Sequence, residues 1–407
     1  MISPSPWAPA AFAGWLDDTN DITKAFLAAG NVPDMINIAG GLPDPQVYPS
    51  PQIAEIAARA VTDFPAETLG YGPLNGLPEL RAAIAARFSS DLLHLTSDNV
   101  LITTSGMQGL DLIGKVLLDE GDVIAGQFPT YLGALDAWRP RKPAVRKLLL
   151  QSNALDFTDV MRGAKFAYTV PNFSNPTGRL VPQSTRLALV EAARSTGAWL
   201  VEDDPYGGLN YDGPLPPSML TLSAQSSAAG PNGAYEGPVI YLGTLSKLLV
   251  PGLRIGWVIA APRMIDALTL AKQGSDMCTS GLNQRMACEI LKAGLIESCN
   301  PTMLTLYRRR RDTLCAALQR DLSPWFDWDV PEGGMFVWLT ARDQQLNTDD
   351  LFKIALEERV CVSPSSVFDA EGRFRHGLRL NFTFNDEAKL DEAVRRLARA
   401  TERLLTV

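Results

Sequence analysis

Lys247 stands alone among apolar neighbours in the run Tyr241-Leu-Gly-Thr-Leu-Ser-Lys-Leu-Leu-Val-Pro-Gly-Leu-Arg-Ile-Gly-Trp257. A strand that ends there and is followed by small and hydroxyl residues would bury an amine, lower its pKa and make it nucleophilic. A lysine in an apolar run is also commonly a surface residue whose stem lies along its neighbours, so the surrounding residues decide. Arg254, at the start of the next strand, can return to meet an anion held by Ser246. Thr103-Thr104-Ser105-Gly106-Met107-Gln108 follows a strand and opens a helix. Its free backbone N–H groups and the helix dipole suit a phosphate, although any Ser-Gly before a helix also looks like a cap. Pro171-Asn-Phe-Ser-Asn-Pro-Thr-Gly178 follows another strand and is at least a turn at Asn175-Pro176. Val201-Glu-Asp-Asp-Pro-Tyr206 puts carboxylates just past a strand's carboxyl end, where open α/β sheets hold ligands.

These stretches need a scaffold, and the pattern supplies one. Ile53, Ile56, Ala57, Ala60, Val61 and Phe64 recur at helical spacing, with Ser50 expected as N-cap and Pro51 in the first turn. Short β-branched runs then alternate with helical patterns: 100–102 then 106–118, 123–124 then about 130–138, 166–170 then 183–195, and 199–201, followed by strands near 239–242 and 254–260. Such alternation predicts an α/β fold with a mostly parallel sheet between helices. After about residue 290 the rhythm changes to helix (about 301–320), strand 335–339, helix 348–358, strands near 360–362 and 378–382 and a last helix 385–404, which predicts a smaller α+β domain. Leu222–Pro238, rich in Ser, Ala, Gly and Asn, reads as a surface loop. No internal repeat is visible.

With 407 residues the chain has room for two or three domains. Apolar residues make up 46% and charged ones 20%, the balance of a globular protein rather than of a disordered or membrane chain. The 37 Lys and Arg against 45 Asp and Glu give a net charge of −8, which disfavours nucleic acid and anionic membranes as partners. Five cysteines with no C-x-x-C pair suit free thiols, and with no signal peptide at Met1–Trp7 and no run near the ~20 apolar residues of a membrane span, a cytoplasmic location is expected. With only His94 and His376, a histidine metal site or a Ser–His triad is hard to build, and no metal is expected. His94 reads as a surface or packing residue, Phe336 and Trp338 as strand core, and Arg308-Arg-Arg-Arg311 as the solvated face of a helix. The sequons at Asn172 and Asn381 fall in stretches expected near the site, so glycosylation is not expected.

The chain resembles the fold-type I pyridoxal 5'-phosphate (PLP) enzymes of aminotransferase class I/II, and within them the 2-aminoadipate and broad-specificity aminotransferases. The ordered motifs that carry the resemblance are Ala39-Gly-Gly-Leu-Pro43, Leu69-Gly-Tyr-Gly-Pro73, Asn175-Pro-Thr-Gly178, Ser246-Lys247, Gln273-Gly-Ser-Asp276, Gly333-Gly-Met-Phe-Val-Trp338 and Leu378-Arg-Leu-Asn381. The resemblance implies a large PLP-binding domain (46–290) around a mostly parallel, mixed sheet of seven-stranded type. It also implies a small α+β domain (291–407) with which an N-terminal segment (1–45) packs.

It also implies roles. Lys247 would hold PLP as a Schiff base and then shuttle the proton at the substrate Cα. Asp203 would pair with the pyridine nitrogen, Asn175 and Tyr206 would bond the ring's phenolic oxygen, and Tyr131 would stack on the ring. Ser105, Gly106, Met107, Ser246 and Arg254 would hold the phosphate, joined by Tyr71 from a second subunit of a homodimer whose active sites lie at the interface. Arg379 would clamp the substrate α-carboxylate as a fork, with Asn175 and Gly41 also in the substrate site. Relatives commonly carry Gly-Ser-Gln-Gln where this chain has Ser105-Gly106-Met107-Gln108. Lys24 is the only basic residue near the position where some relatives carry one in the N-terminal helix.

The expected reaction is ping-pong transfer of an amino group between an L-amino acid and a 2-oxo acid, with glutamate implied as a donor. Aromatic, branched-chain and 2-aminoadipate substrates stay open. The same cofactor and fold also serve β-lyases, and aminotransferase-like domains occur as ligand sensors fused to DNA readers. Against a sensor, Lys24 is the one basic residue before Gly40, set among Asp17, Asp18, Asp21 and Asp34, and that stretch is too short for a DNA-reading domain.

Overall fold

The computed structural model describes residues 11–16, 32–151, 156–225 and 233–406; Lys24 and the first ten residues lie outside them. The strands, in chain order, are β1 (Ile36–Asn37), β2 (Val100–Thr104), β3 (Val123–Gln127), β4 (Ala144–Leu148), β5 (Phe166–Thr169), β6 (Trp199–Asp203), β7 (Val239–Thr244), β8 (Ile255–Ile259), β9 (Phe326–Trp328), β10 (Phe336–Ala341), β11 (Val360–Cys361), β12 (Ser363–Pro364) and β13 (Gly377–Asn381). The α-helices are α1 (Ser50–Asp63), α2 (Pro65–Leu69), α3 (Pro78–Phe88), α4 (Ser105–Leu117), α5 (Leu132–Trp138), α6 (Thr158–Met161), α7 (Gln183–Thr196), α8 (Met219–Ala224), α9 (Pro262–Gln273), α10 (Gly281–Lys292), α11 (Leu295–Asp321), α12 (Thr348–Glu357) and α13 (Glu387–Leu405).

Seven strands form the main sheet in the order β2-β8-β7-β6-β5-β3-β4. Pairing is parallel from β7 through β6, β5 and β3 to β4, and β8 alone runs antiparallel to both its neighbours. This is the mixed, mostly parallel sheet expected. Its central strands are buried on both faces, so β7 and β8 have no exposed position; that is why they read as unbroken apolar runs. Two large apolar cores are present among the described residues, one reaching from the sheet into the C-terminal helices and the other lying under α1, α3 and α10, with a small third cluster of Trp338, Val367 and Phe368.

The C-terminal third carries an antiparallel sheet, β12-β13-β10-β9, and β11 pairs in parallel with β1 from the N-terminal segment. Helix α13 packs along α11 and α12. The chain therefore returns its first described strand to its last third.

Three expectations need correction. Ser50 is not the N-cap of α1: Pro49 holds that position and Ser50 is already helical, with Pro51 in the first turn, where a missing N–H costs nothing. Leu222–Pro238 is not simply a surface loop, because Leu222 and Ser223 are buried in α8 and Tyr235 is buried with its hydroxyl 2.7 Å from Ser223 Oγ and accepting from Val239 N; residues 226–232 lie outside the described residues. The four arginines 308–311 do not share one solvated face. Successive helical residues point about 100° apart, so Arg308 and Arg309 are exposed while Arg310 and Arg311 are buried. His94 is exposed, Phe336 and Trp338 are buried, and the five cysteines are free thiols.

Candidate active site

The loops that leave the carboxyl ends of β2, β3, β5, β6 and β7 meet at one edge of the sheet around a cavity of about 280 Å³. Because β8 is reversed, its first turn reaches the same edge and brings Arg254 there. Ten of the residues singled out above line this cavity: Ser105, Gly106, Met107, Tyr131, Asn175, Asp203, Tyr206, Ser246, Lys247 and Arg254. Arg379 and Gly41 adjoin it through Asn175 and Lys247. Tyr71 does not line it and is 90% exposed.

One end of the cavity is built for an anion. At Ser105 the backbone turns through φ +69° into α4, whose first N–H groups have no helical partner. Beneath this turn β8 passes so close that a Cβ on Gly256 would lie 2.6 Å from the Ser105 carbonyl carbon and 2.8 Å from Gly106 N. The turn is tied from below as well: Thr103 Oγ1 donates to Ser105 O (2.9 Å), Gln108 Oε1 accepts from Thr104 N (2.7 Å), and Thr104 Oγ1 donates to Asp276 Oδ2 (3.0 Å). Ser246 Oγ accepts from Thr244 Oγ1 at 2.9 Å, and the exposed Arg254 adds a cation.

The other end is acidic. Asp203, at the tip of β6, is buried and accepts a hydrogen bond from Tyr168 Oη at 2.8 Å. Burial pushes its carboxyl up to about 7 against the pull of that bond, with Asp204 adding to the rise. Tyr168 is fully buried on β5, edge-on to Trp138 at 5.1 Å, and Trp138 is fixed by Nε1 donating to Leu110 O (2.9 Å). Such a carboxyl gains most from a cationic partner.

Between the two ends lies Lys247, whose Nζ donates to Gly41 O at 2.7 Å. Burial, reinforced by the charges of Arg379 and Arg254, brings its amine down to about 8. Tyr131 is pushed up to about 12 and Tyr206 higher still, both chiefly by burial, so both stay protonated donors. The Tyr131 hydroxyl meets Met107 Sδ at 3.6 Å.

Arg379, on β13, is buried with its fork spread over three segments. Nη1 donates to Asn175 Oδ1 at 2.5 Å, and Nη2 donates to Ala39 O and to Ser363 Oγ (3.2 Å). Its guanidinium lies over Phe336 at 4.3 Å and Phe368 at 4.8 Å, contacts that favour the cation. Burial lowers its pKa to about 10, which leaves it charged at neutral pH. Sequence reasoning did not single out Tyr168, Ser363, Phe368 or the carbonyl of Ala39. Tyr168 left one signal, a hydroxyl in the otherwise apolar start of β5; the others meet the site only through tertiary pairing.

A family profile described as Aminotransferase class I and II matches residues 34–397. The chain belongs to this family. The 2-aminoadipate transaminase of Thermus thermophilus is 34% identical over 100% of both chains, and Aromatic-amino-acid aminotransferase 1 of Thermococcus litoralis is 34% identical over 90% of this chain and 87% of its own. The crystal structure of LysN, an alpha-aminoadipate aminotransferase from Thermus thermophilus complexed with N-(5'-phosphopyridoxyl)-L-leucine, superposes with a TM-score of 0.85. It is 33% identical and covers 97% of this chain and 98% of that one. The aminotransferase is thus a PLP-dependent enzyme, and the lyase alternative is not favoured. The donor set fits that cofactor: N–H groups, hydroxyl and cation at one end suit a phosphate, the buried carboxyl suits a protonated ring nitrogen, and a lysine of lowered pKa stands between them. Among the described residues no helix is long and apolar enough to cross a membrane.

Proposed function

We propose that Lys247 is the residue through which this aminotransferase carries its cofactor and moves the proton at the substrate Cα, in a cytoplasmic homodimer acting on an L-amino acid and a 2-oxo acid. The observation that carries the reading is the placement of an amine with a pKa of about 8 between an anion-binding turn and a buried acid in one cavity. Ser105, Gly106, Met107, Ser246 and Arg254 would hold the phosphate, with Tyr71 supplied by the second subunit. Asp203 would hold the proton on the ring nitrogen, Asn175 and Tyr206 would donate to the ring oxygen, and Tyr131 would cover the ring. When bound, PLP supplies an electron sink for the charge left at the substrate Cα.

The protein's own groups do the rest. Arg379 clamps the α-carboxylate with a planar fork already aligned by Asn175 Oδ1 and Ala39 O. Lys247 Nζ would take the proton from the substrate Cα and give it up again in the reverse direction; a pKa near the working pH suits both. Leu42, Met107 and Pro251 add apolar surface to the cavity, which suits an aromatic donor side chain; the relatives support either an aromatic or a 2-aminoadipate donor. The domain limits 1–45, 46–290 and 291–407 are proposed with this reading. The test is the visible absorbance of the purified protein before and after adding single L-amino acids without oxo acid. A cofactor band that each good donor converts to the pyridoxamine form, fastest with aromatic or 2-aminoadipate donors, is expected; no band after PLP is added would overturn the assignment.

A further inference from the structure

The segment Ala39–Asp44 runs past the cavity, and both functional cations touch it. Lys247 Nζ donates to Gly41 O at 2.7 Å and Arg379 Nη2 donates to Ala39 O, while Leu42 lines the cavity itself. Gly41 packs onto the Phe336 ring, where a Cβ would come within 2.7 Å of Cζ, and the Arg379 guanidinium lies over the same ring at 4.3 Å.

The start of this segment is held at Ala39, whose N donates to Asn37 Oδ1 (2.9 Å) and whose O accepts from Ser363 Oγ (3.1 Å); what fixes its far end lies away from the cavity. The Asp44 side chain is 4% exposed and its Oδ2 is 2.6 Å from Nη2 of Arg310 on α11, itself 3% exposed. Arg310 Nη1 donates to Thr383 O at 2.6 Å, Thr383 Oγ1 donates to Leu42 O at 2.8 Å, and Asp44 N donates to the hydroxyl of Tyr307 at 3.0 Å. Neither Asp44 nor Arg310 lines the cavity. A buried ion pair recovers its desolvation cost only when both partners stay in register, so this pair fixes where the segment ends. By contrast, the anion-binding turn is held by β8, Gln108 and Asp276, none of which belongs to the segment.

We propose that Arg310 and Asp44 form a positioning pair for amino-acid recognition: by fixing the far end of the Ala39–Asp44 segment they hold Arg379 ready for the substrate carboxylate, while the phosphate-binding turn, which the segment does not touch, stands independently. This rests on the assignment of Arg379 to the α-carboxylate. The affinity of the site for its amino acid is then set in part by a residue pair that touches neither substrate nor cofactor.

The experiment compares parent, Asp44→Asn, Arg310→Lys and Arg379→Ala holoenzymes. Asp44→Asn is nearly isosteric and Arg310→Lys keeps the charge, so a folding defect in one, detected by thermal unfolding, leaves the other to decide. Cofactor retention is followed by visible absorbance on dialysis, and the half-reaction with an L-amino acid gives the half-saturating concentration and the limiting rate. The expected result is a half-saturating concentration raised roughly tenfold in the folded pair variants, with limiting rate and cofactor retention within about twofold of the parent. Unchanged half-saturation, or loss of cofactor in step with loss of rate, overturns the proposal. Arg379→Ala separates the two levels: if it leaves half-saturation unchanged, the carboxylate assignment fails. If it raises half-saturation while the pair variants are silent, only the role of the pair falls.

Discussion

Lys247 owes its chemistry to where its amine is held. Burial and the charges of Arg379 and Arg254 bring its pKa to about 8 from an ordinary 10.5, and only the neutral amine attacks a carbonyl carbon. The neutral fraction is therefore about one half near pH 8 and levels off roughly a unit above it. In the cofactor-free protein the rate constant for PLP capture, followed by absorbance after mixing, is expected to climb and flatten over that range. A rate still climbing towards pH 10 would mean that the amine is not held as described. Tyr168 argues from the other pole. Its hydroxyl stabilises the charged form of Asp203, and a hydrogen bond to a charged group contributes about 1.5–3 kcal/mol. Tyr168→Phe should raise the Asp203 pKa further, weaken its hold on a ring proton and slow the half-reaction roughly tenfold or more. Parent-like rates and cofactor spectrum would show that Asp203 needs no such donor.

At the scale of elements, the site depends on how closely β8 and the β2–α4 turn approach. Gly256→Ala puts a methyl group into backbone atoms of Ser105 and Gly106 rather than into a movable side chain, so the turn must shift. We expect PLP affinity to drop more than about tenfold while the apoprotein still folds, measured by titrating apoprotein with PLP and by thermal unfolding; unchanged affinity would detach the turn from phosphate binding. The elements that sequence made legible are those whose burial produces a simple pattern. Strands β5 to β8 are buried on both faces and mostly apolar, α1 is apolar on one, and the strand ends and loops carried recognisable polar residues. Helix α3 was not legible, because its buried face includes Arg81, which donates to Val100 O and Ser97 O, and that breaks the apolar period. Strand β4 sits at a sheet edge with Arg146 and Lys147 exposed and hid for the same reason. Pro301 reads as a helix start, yet α11 begins at Leu295 and carries it within. Arg310 looked like a surface charge because its partner Asp44 is distant in sequence, and Ser363 and the part played by the Ala39 carbonyl escaped notice because they act through tertiary contact alone.

At the scale of the whole molecule, the cavity draws on the loops of the main sheet and on Leu42 of the N-terminal segment, with Arg379 of β13 adjoining, yet Tyr71 remains 90% exposed beside Leu69 at 71%. Under the proposed assignment of Tyr71 to the phosphate, its hydroxyl has to come from a second subunit, because it does not line the cavity of its own chain. A closed twofold dimer makes the exchange reciprocal, which allows a complementation test. Homodimers of Lys247→Ala lack the amine at both sites, and homodimers of Tyr71→Ala lack the hydroxyl at both. In a hybrid of the two chains, purified through different tags, the site that keeps Lys247 receives Tyr71 from its partner and is whole; the other site lacks both. The hybrid is expected to run at about half the parent rate per dimer, far above the Lys247→Ala homodimer and above the Tyr71→Ala homodimer, with one cofactor held firmly. If Tyr71 served its own subunit, the site keeping Lys247 would lack the hydroxyl, and the hybrid would show only half the rate of the Tyr71→Ala homodimer. That outcome, or a monomer on sizing at working concentration, would remove the shared site, because the exposure of Tyr71 would then have nothing to do with the cofactor.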